Sequence, residues 1–535
     1  MPVQNSHKVF FRPSDEEIRK IPNPSFRHFL HIPFFIPSIA LAISAGLTLL
    51  VPWCLVQVID QGISGENYDQ LALWLAVAVL SQALSGIFRF WGTCAISQYG
   101  LKLEKERLIH LYHRVMHADL RALPELSQGS AMGQMKFAAS CERQFLETLY
   151  LQGVPLLITT FGACLALLTL SPGLAICSLT LIPISGLLWF WMKRRIRPAA
   201  RLEYENQENL YRHLVDTFRA IMPIRALHQT HRFSAQFDEI AASCQTSGYV
   251  LQRKLAVQSP FFDVLQAIAL LAIFGLGGYW TVKGELSLGA LLGFQLYLSR
   301  FFGLLRGGTG IFGAWQHYQE GHTRAYALDT LPTAPEPVFY ETAPSEVLRI
   351  ENLSFSFDHH EVWQNKSLVI REGERHAILL PSGGGKTTLA RCILGLYPIS
   401  SGKIRLPGAS STCVGFVPQE NVLFDGSLRE NIGMMCAQMD DAQYQSLLYM
   451  CGLEPLEARL KSDSIGEQGL RLSGGEQRRV MLARALASNP RLLIIDQMAS
   501  ELEPDLCRSI FSRISSQMPH LGILYLGHRL PEWDF

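Results

Sequence analysis

Charged residues are scarce in this chain. Asp, Glu, Lys and Arg make up 17% of its 535 residues against 48% hydrophobic ones, a balance skewed toward a membrane protein. The eleven cysteines form no C-x-x-C pair. Cys54, Cys94, Cys164 and Cys177 sit in or near apolar runs, and Cys392, Cys413, Cys436, Cys451 and Cys507 are scattered through the C-terminal part. They read as small apolar fillers in a reducing compartment rather than as metal ligands or a disulfide frame. No basic cluster lies beside interleaved aromatics, and the net charge is only +1, so nothing points to nucleic acid as a partner. The segment before Phe29 carries Asp15, Glu16 and Glu17 among its basic residues and lacks an apolar core, unlike a cleaved signal or transit peptide.

The shortage of charge is concentrated. Ile32 to Gln57 holds no charged side chain and is long enough to span a bilayer as a helix. Gln70 to Phe88 is a second such run, and Thr148 to Met192 a third, broken by Ser171-Pro172-Gly173 as for two spans joined by a tight turn. Val264 to Val282 makes the fifth span. The sixth, Leu286 to about Leu305, is interrupted by Arg300, as in a span that lines a wet cavity or ends early. Basic residues crowd two loops: Lys102 to Arg143 between the second and third spans, and Lys193 to Lys254 between the fourth and fifth. The segment Asp60 to Asp69 and the turn at Ser171 have none, so the positive-inside rule puts both long loops and both termini in the cytoplasm. The spacing of Leu101, Leu103, Leu108 and Leu111 predicts that the spans continue as helices beyond the membrane. The run from Leu331 to Val347, rich in Pro, Thr and Glu, reads as an extended linker. The expected organisation is a membrane domain over 1–330, a linker over 331–347 and a second domain over 348–535.

That second domain holds the string Leu379-Leu380-Pro381-Ser382-Gly383-Gly384-Gly385-Lys386-Thr387-Thr388. A glycine-rich turn between a strand and a helix lets successive backbone N–H groups converge on phosphate oxygens at the positive end of a helix dipole. Lys386 reaches the terminal phosphates in this pattern, and the Thr387 hydroxyl sits where it places a Mg²⁺ ligand. The pattern G-x-x-x-x-G-K-[ST] asks for glycine where Leu380 stands, and a positive φ there would cost a leucine roughly 1 kcal/mol or more. The bland alternative is a glycine-rich surface turn beside a chance Lys-Thr. Arg491 to Asp496 is an apolar strand ending in a carboxylate, as for a buried parallel strand that presents an acid to Mg²⁺.

With Gln419 in Val417-Pro418-Gln419, the segment Leu472-Ser473-Gly474-Gly475-Glu476 and His528 in Gly527-His528-Arg529, the motif order resembles the ABC ATPase family. Six spans, a linker and one ATPase domain resemble an ABC half-transporter of the exporter type over nearly the whole chain. The resemblance implies a polytopic α-helical membrane domain followed by an α/β P-loop NTPase domain of ABC type, ATP and Mg²⁺ as cofactors, and a second ABC half as partner. It places Thr387, Gln419 and Asp496 on the metal, Phe357 on adenine, His528 at the γ-phosphate, and Ser473, Gly474 and Gly475 on the nucleotide of the partner half. A core-strand phenylalanine is the plain alternative for Phe357. The segment Ile465-Gly466-Glu467-Gln468-Gly469 is similar to the loop with which exporters touch the intracellular helices. Coupling elements fall near Gly129 to Arg143 and Tyr211 to Ile224.

Two departures carry weight. The family normally has glutamate directly after the strand aspartate, and here Gln497 stands there; an amide holds water but accepts no proton, and losing a general base typically costs about 10² to 10⁴ in rate. The segment Ser500-Glu501-Leu502-Glu503 also departs from the usual Ser-Ala-Leu-Asp. An engineered Glu→Gln change is one reading, and Leu380 and Glu503 argue for natural divergence instead. The chain stops a few residues after His528, either a minimal domain or a truncation that leaves a sheet edge unpaired. The expectation is a multi-pass subunit in the plasma membrane, the inner membrane of a bacterium. It is one half of a heterodimer whose own site binds ATP and hydrolyses it slowly. A homodimeric exporter and a non-transporting ATP-binding regulatory subunit are the alternatives. The substrate stays open among peptide, lipid, siderophore-like metabolite and drug, with Trp53, Arg89, Gln266, Gln295 and Arg300 as unranked intramembrane candidates. Direction stays open too.

Overall fold

The computed structural model describes residues 32–122, 128–179, 181–334, 337–357, 360–410, 413–436, 438–461, 463–497 and 503–530. The expectations for the N-terminal segment and for Ser500 to Leu502 therefore lie outside the described residues. The chain divides into two compact units, one of residues up to His113 and from Gln128 to Thr330, the other of Arg114–Ser127 and the residues from Leu331 onward.

The first unit is helical. Its helices are Ile32–Gln57, Tyr68–Met116, Gln128–Thr148, Val154–Leu170, Pro172–Leu179, Leu181–Arg219, Ile221–Ala226, Thr230–Ala256, Gln258–Val282 and Leu288–Asp329, with π-helical turns at Val58–Ile63 and Leu149–Gly153. Four stretches are long and apolar enough to cross a membrane: Phe34–Ile63, Tyr68–Met116, Met132–Leu170 and Thr230–Val282. They contain the second, third and fifth expected spans and all but the first two residues of the first. The fourth falls on Pro172–Leu179 and Leu181–Arg219, where the side chains of 177–189 lie outside the described residues. The sixth falls in Leu288–Asp329, whose apolar character is diluted by Gly289, Gly293, Gly303 and the exposed Arg300. Length and apolarity alone therefore pick out four of the six expected spans among the described residues.

Elsewhere the unit packs large apolar side chains together, such as Phe294, Leu298, Phe301 and Phe302, but its second long helix is inside-out relative to one in a soluble protein. The helix Tyr68–Met116 buries Ser81, Ser85, Gly92, Ile96, Gly100, Glu104 and Leu111, recurring at intervals of four and seven on one face. Its large apolar side chains, Val79, Leu80, Ile87 and Phe90, face outward. Small residues let backbones approach where lipid supplies no hydrophobic drive between helices. An added Cβ on Gly92 would lie 3.0 Å from the Leu41 side chain, so the first two long helices touch there. Ser44 and Ser85 hydrogen-bond across the same contact, hydroxyl to hydroxyl at 2.9 Å.

Further along the same helix the buried stripe turns from small to charged. Glu104 is buried and pairs with Lys136 Nζ at 2.6 Å and Arg143 Nε at 2.7 Å on the helix Gln128–Thr148. Arg107 pairs with Asp329 at 2.7 Å on the helix Leu288–Asp329. Three helices are thus tied by ion pairs where the greasy stripe runs out.

The second unit contains two four-stranded sheets. The first runs β1 (Tyr340–Glu341), β5 (Ser401–Leu406), β2 (Glu346–Phe357), β3 (His360–Arg371), with β2 antiparallel to both neighbours. The second runs β4 (Arg375–Leu379), β8 (Gly522–Gly527), β7 (Leu492–Asp496), β6 (Val414–Val417), all parallel. The strand expected at Arg491 to Asp496 is β7, and the strand expected before the glycine-rich turn is β4. Every residue of β7 and β8 is buried, as continuous apolar runs in a parallel sheet require. The stretch expected as linker contains β1 and the start of β2. At its start, Thr333 bridges Ala118, the Asp119 N–H donates to Pro332 O at 2.8 Å, and the Ala334 N–H donates to His117 O at 2.9 Å.

Removing the carboxylate that two cations share should loosen the helical unit. Glu104→Ala is expected to lower stability by about 1–3 kcal/mol, seen as earlier thermal aggregation of the detergent-solubilised chain. Lys102→Ala, at an exposed i,i+4 pair with Glu106, should leave that temperature unchanged.

Candidate nucleotide site

A parallel sheet gathers chemistry at one edge because all its strands end on the same side. β4 ends at Leu379 and runs into the glycine-rich loop, β6 ends at Val417 just before Gln419, β7 ends at Asp496, and β8 ends at Gly527, next to His528. The register is tight: Leu379 pairs with Gly527, and Asp496 with Leu526. Four sequence-distant candidates thereby share one end of the sheet.

The loop folds as a cradle. Gly383 and Gly385 have φ of +79° and +83°, conformations that glycine adopts without penalty. Gly385 caps the helix Lys386–Ile393, whose N-terminal N–H groups and dipole favour an anion. Leu380 is not among the described residues with positive φ. It is extended instead, its N–H donating to Gly527 O at 3.0 Å as the β4–β8 ladder continues, and its side chain packs on the apolar core. The strain anticipated for a leucine at this position is therefore absent, because the tight turn begins only after Pro381.

Lys386 is 4% exposed, and its Nζ donates to Leu380 O and Pro381 O, both at 2.9 Å. Burial pushes its pKa down and the nearby Asp496 pushes back. Asp496 is wholly buried; burial raises its pKa, against a hydrogen bond from Thr387 Oγ1 to Oδ2 at 2.6 Å and the Lys386 charge. Its other oxygen, Oδ1, has no hydrogen-bond partner among the described residues. A buried carboxylate with one orphaned oxygen beside a threonine hydroxyl fits a hard divalent cation. Of the expected metal ligands, Thr387 and Asp496 are brought together.

Gln419 is placed less directly. Its side chain is exposed, and its loop is held from behind: the buried Arg478 donates to Pro418 O at 2.8 Å and to Gln419 O. His528 Nε2 lies 3.3 Å from Ser382 Oγ, bringing the expected γ-phosphate residue to the glycine loop. Thr388 and Pro381 lie in the same loop and helix start. Phe357 ends β2 opposite His360, and its side chain lies outside the described residues. Gln497 has φ of +58° and donates its N–H to Leu526 O at 2.9 Å. A left-handed glutamine costs about 1–3 kcal/mol, strain of the kind found at functional sites.

Ser473 caps the helix Gly474–Ala487. Its hydroxyl accepts from the Glu476 N–H, and the Glu476 carboxylate accepts from the Ser473 N–H at 2.8 Å. Arg459 pairs with Glu476 at 3.1 Å and fixes the box further. Gly474 stays exposed at the helix start, so its N–H is open to an anion.

Two family profiles match the chain: "ABC transporter transmembrane region" over residues 34–305 and "ABC transporter" over residues 363–500. The chain belongs to the ABC transporter family. It is 24% identical over 528 residues to "ATP-dependent permease MDL1, mitochondrial" of Schizosaccharomyces pombe, covering 93% of this chain and 72% of that protein. It is 23% identical over 521 residues to "ATP-dependent lipid A-core flippase" of Syntrophus aciditrophicus, covering 94% and 86%. Its fold matches "Structure of a bacterial Atm1-family ABC exporter with ATP bound" with TM-score 0.80 and 19% identity, over 93% of this chain and 91% of that one. This ABC protein therefore has the exporter architecture: a helical, multi-pass membrane domain followed by an ATP-binding ABC domain.

Residues that the sequence did not single out complete the ABC site. Arg478, Asn421 and Gln477 join the helix Gly474–Ala487 to the loop after β6, with Asn421 Nδ2 donating to Gln477 Oε1 at 2.9 Å. Trp363 donates from Nε1 to Gly385 O at 2.9 Å. No local pattern marks them, since each acts across tens of residues.

Asp496→Asn removes the charge and keeps the shape. In the wild type, ATP affinity is expected to be at least tenfold higher with Mg²⁺ than with EDTA; in the variant, titration should give the same Kd in both.

Proposed function

We propose that this chain is one half of an exporter-shaped ABC transporter in the plasma membrane, paired with a different ABC half, and that its own site holds ATP and turns it over slowly. The observation that carries this reading is Gln497 directly after the buried Asp496, in a chain whose Ser473 cap is fully formed. Lys386 and the Gly383 to Gly385 loop would bind the phosphates, and Phe357 would stack on adenine. Thr387, Asp496 and Gln419 would hold Mg²⁺, which when bound supplies charge neutralisation between the phosphates. His528, beside Ser382, would contact the γ-phosphate.

The Gln497 amide orients a water and cannot take its proton, so the bond-breaking step at this site loses its general base. Ser473, Gly474 and Gly475 would reach the partner's γ-phosphate and complete a site that does hydrolyse. ATP would close the two ABC domains and draw the cytoplasmic loops together, turning the cavity from one side of the membrane to the other. The basic loops between the spans support a cytoplasmic placement of the ATPase domain and both termini.

Gln497→Glu restores the missing base. In the complex purified with its partner half, this chain's own site is expected to retain bound ATP over many minutes, and with the variant to hydrolyse it about 10² to 10⁴ times faster. Equal rates in single-turnover assays would contradict the proposal.

A further inference from the structure

Trp363 lies on β3, in the first sheet, yet its indole reaches the glycine loop at the end of the other sheet. The ring is 7% exposed, and Nε1–H donates to the Gly385 carbonyl at 2.9 Å. That carbonyl also accepts the Leu389 N–H at 2.9 Å, the first turn of the helix that carries Lys386 and Thr387. Gly385 is the left-handed hinge of the loop, and an added Cβ there would lie 2.7 Å from Trp363 Nε1 and 2.5 Å from Val362 Cγ1. The cap residue has no side chain, and the indole anchors it through its carbonyl, without occupying the N–H groups at the helix start that a cap side chain would take. On the sheet, Trp363 pairs with Phe355, two residues before Phe357.

From this geometry we infer that Trp363 is a positioning residue for nucleotide binding: its indole N–H pins the Gly385 carbonyl and fixes the phosphate cradle relative to the β2–β3 edge that carries Phe357. A nucleotide spans these two features, one at its base and one at its phosphates. A cradle held at the right separation before binding loses less freedom when ATP enters. This inference rests on the nucleotide-site reading given above.

The test uses the full chain in detergent or nanodiscs, with Trp363→Phe, which keeps an aromatic ring and loses the N–H, and Lys386→Ala as control. Trp363→Phe is expected to raise the Kd for Mg·ATP about 3- to 10-fold, the worth of one hydrogen bond. Without nucleotide, amide hydrogen exchange over residues 381–389 should quicken in the variant, while exchange over β7 and β8 stays the same. A merely structural role would quicken exchange throughout the sheet. An unchanged Kd together with unchanged exchange at 381–389 overturns the inference. If the wild type itself binds no ATP, or binds as well after Lys386→Ala, the nucleotide-site reading fails first. Should Trp363→Phe not fold, Trp363→Tyr also keeps a ring without the indole N–H and is read the same way.

Discussion

The ABC domain is organised around one uncomfortable charge. Asp496 ends a strand whose every residue is buried, and its carboxylate sits where water does not reach. Burying a carboxylate is tolerable only with strong partners. The Thr387 hydroxyl occupies one oxygen and the Lys386 ammonium lies close, but the second oxygen has no partner among the described residues. The arrangement makes sense as a site designed to receive a cation and the phosphates it accompanies. The glycine loop, the helix after it and the ends of β6 and β8 are placed by the same parallel sheet, so displacing β7 would scatter all of them at once.

The membrane unit follows a different logic, since lipid leaves apolar burial with little to contribute. Its first two long helices meet through small residues and the serine pair Ser44 and Ser85, and the second exposes large side chains such as Leu80 and Phe90. Toward the basic loops the same faces switch to charge, with Glu104 and Arg107 tying their helix to two others.

What the sequence made legible was local. A charge-free run, a glycine-rich turn before Lys-Thr, and an apolar strand ending in aspartate are contiguous patterns, and each corresponds to one span, one loop or one strand. Leu380 shows the limit of a motif. The pattern asks for glycine there, yet the residue continues a strand ladder and pays no penalty. The expected span containing Arg300 shows another limit, since its helix Leu288–Asp329 is not among the four described stretches long and apolar enough to cross a membrane. Trp363 on Gly385, Arg478 on the Gln419 loop and Glu104 between two cations were hidden. Each joins positions tens of residues apart, and no spacing rule connects them. The left-handed φ at Gln497 was equally silent, since glutamine is not a residue one expects in that region.

The identity of the second half decides most. The most direct measurement is the native mass and subunit composition of the chain, tagged and extracted gently from its own cell's membranes. The account predicts one copy of this chain with one copy of a different ABC half that carries glutamate after its strand aspartate. A complex of two copies of this chain and nothing else would contradict it.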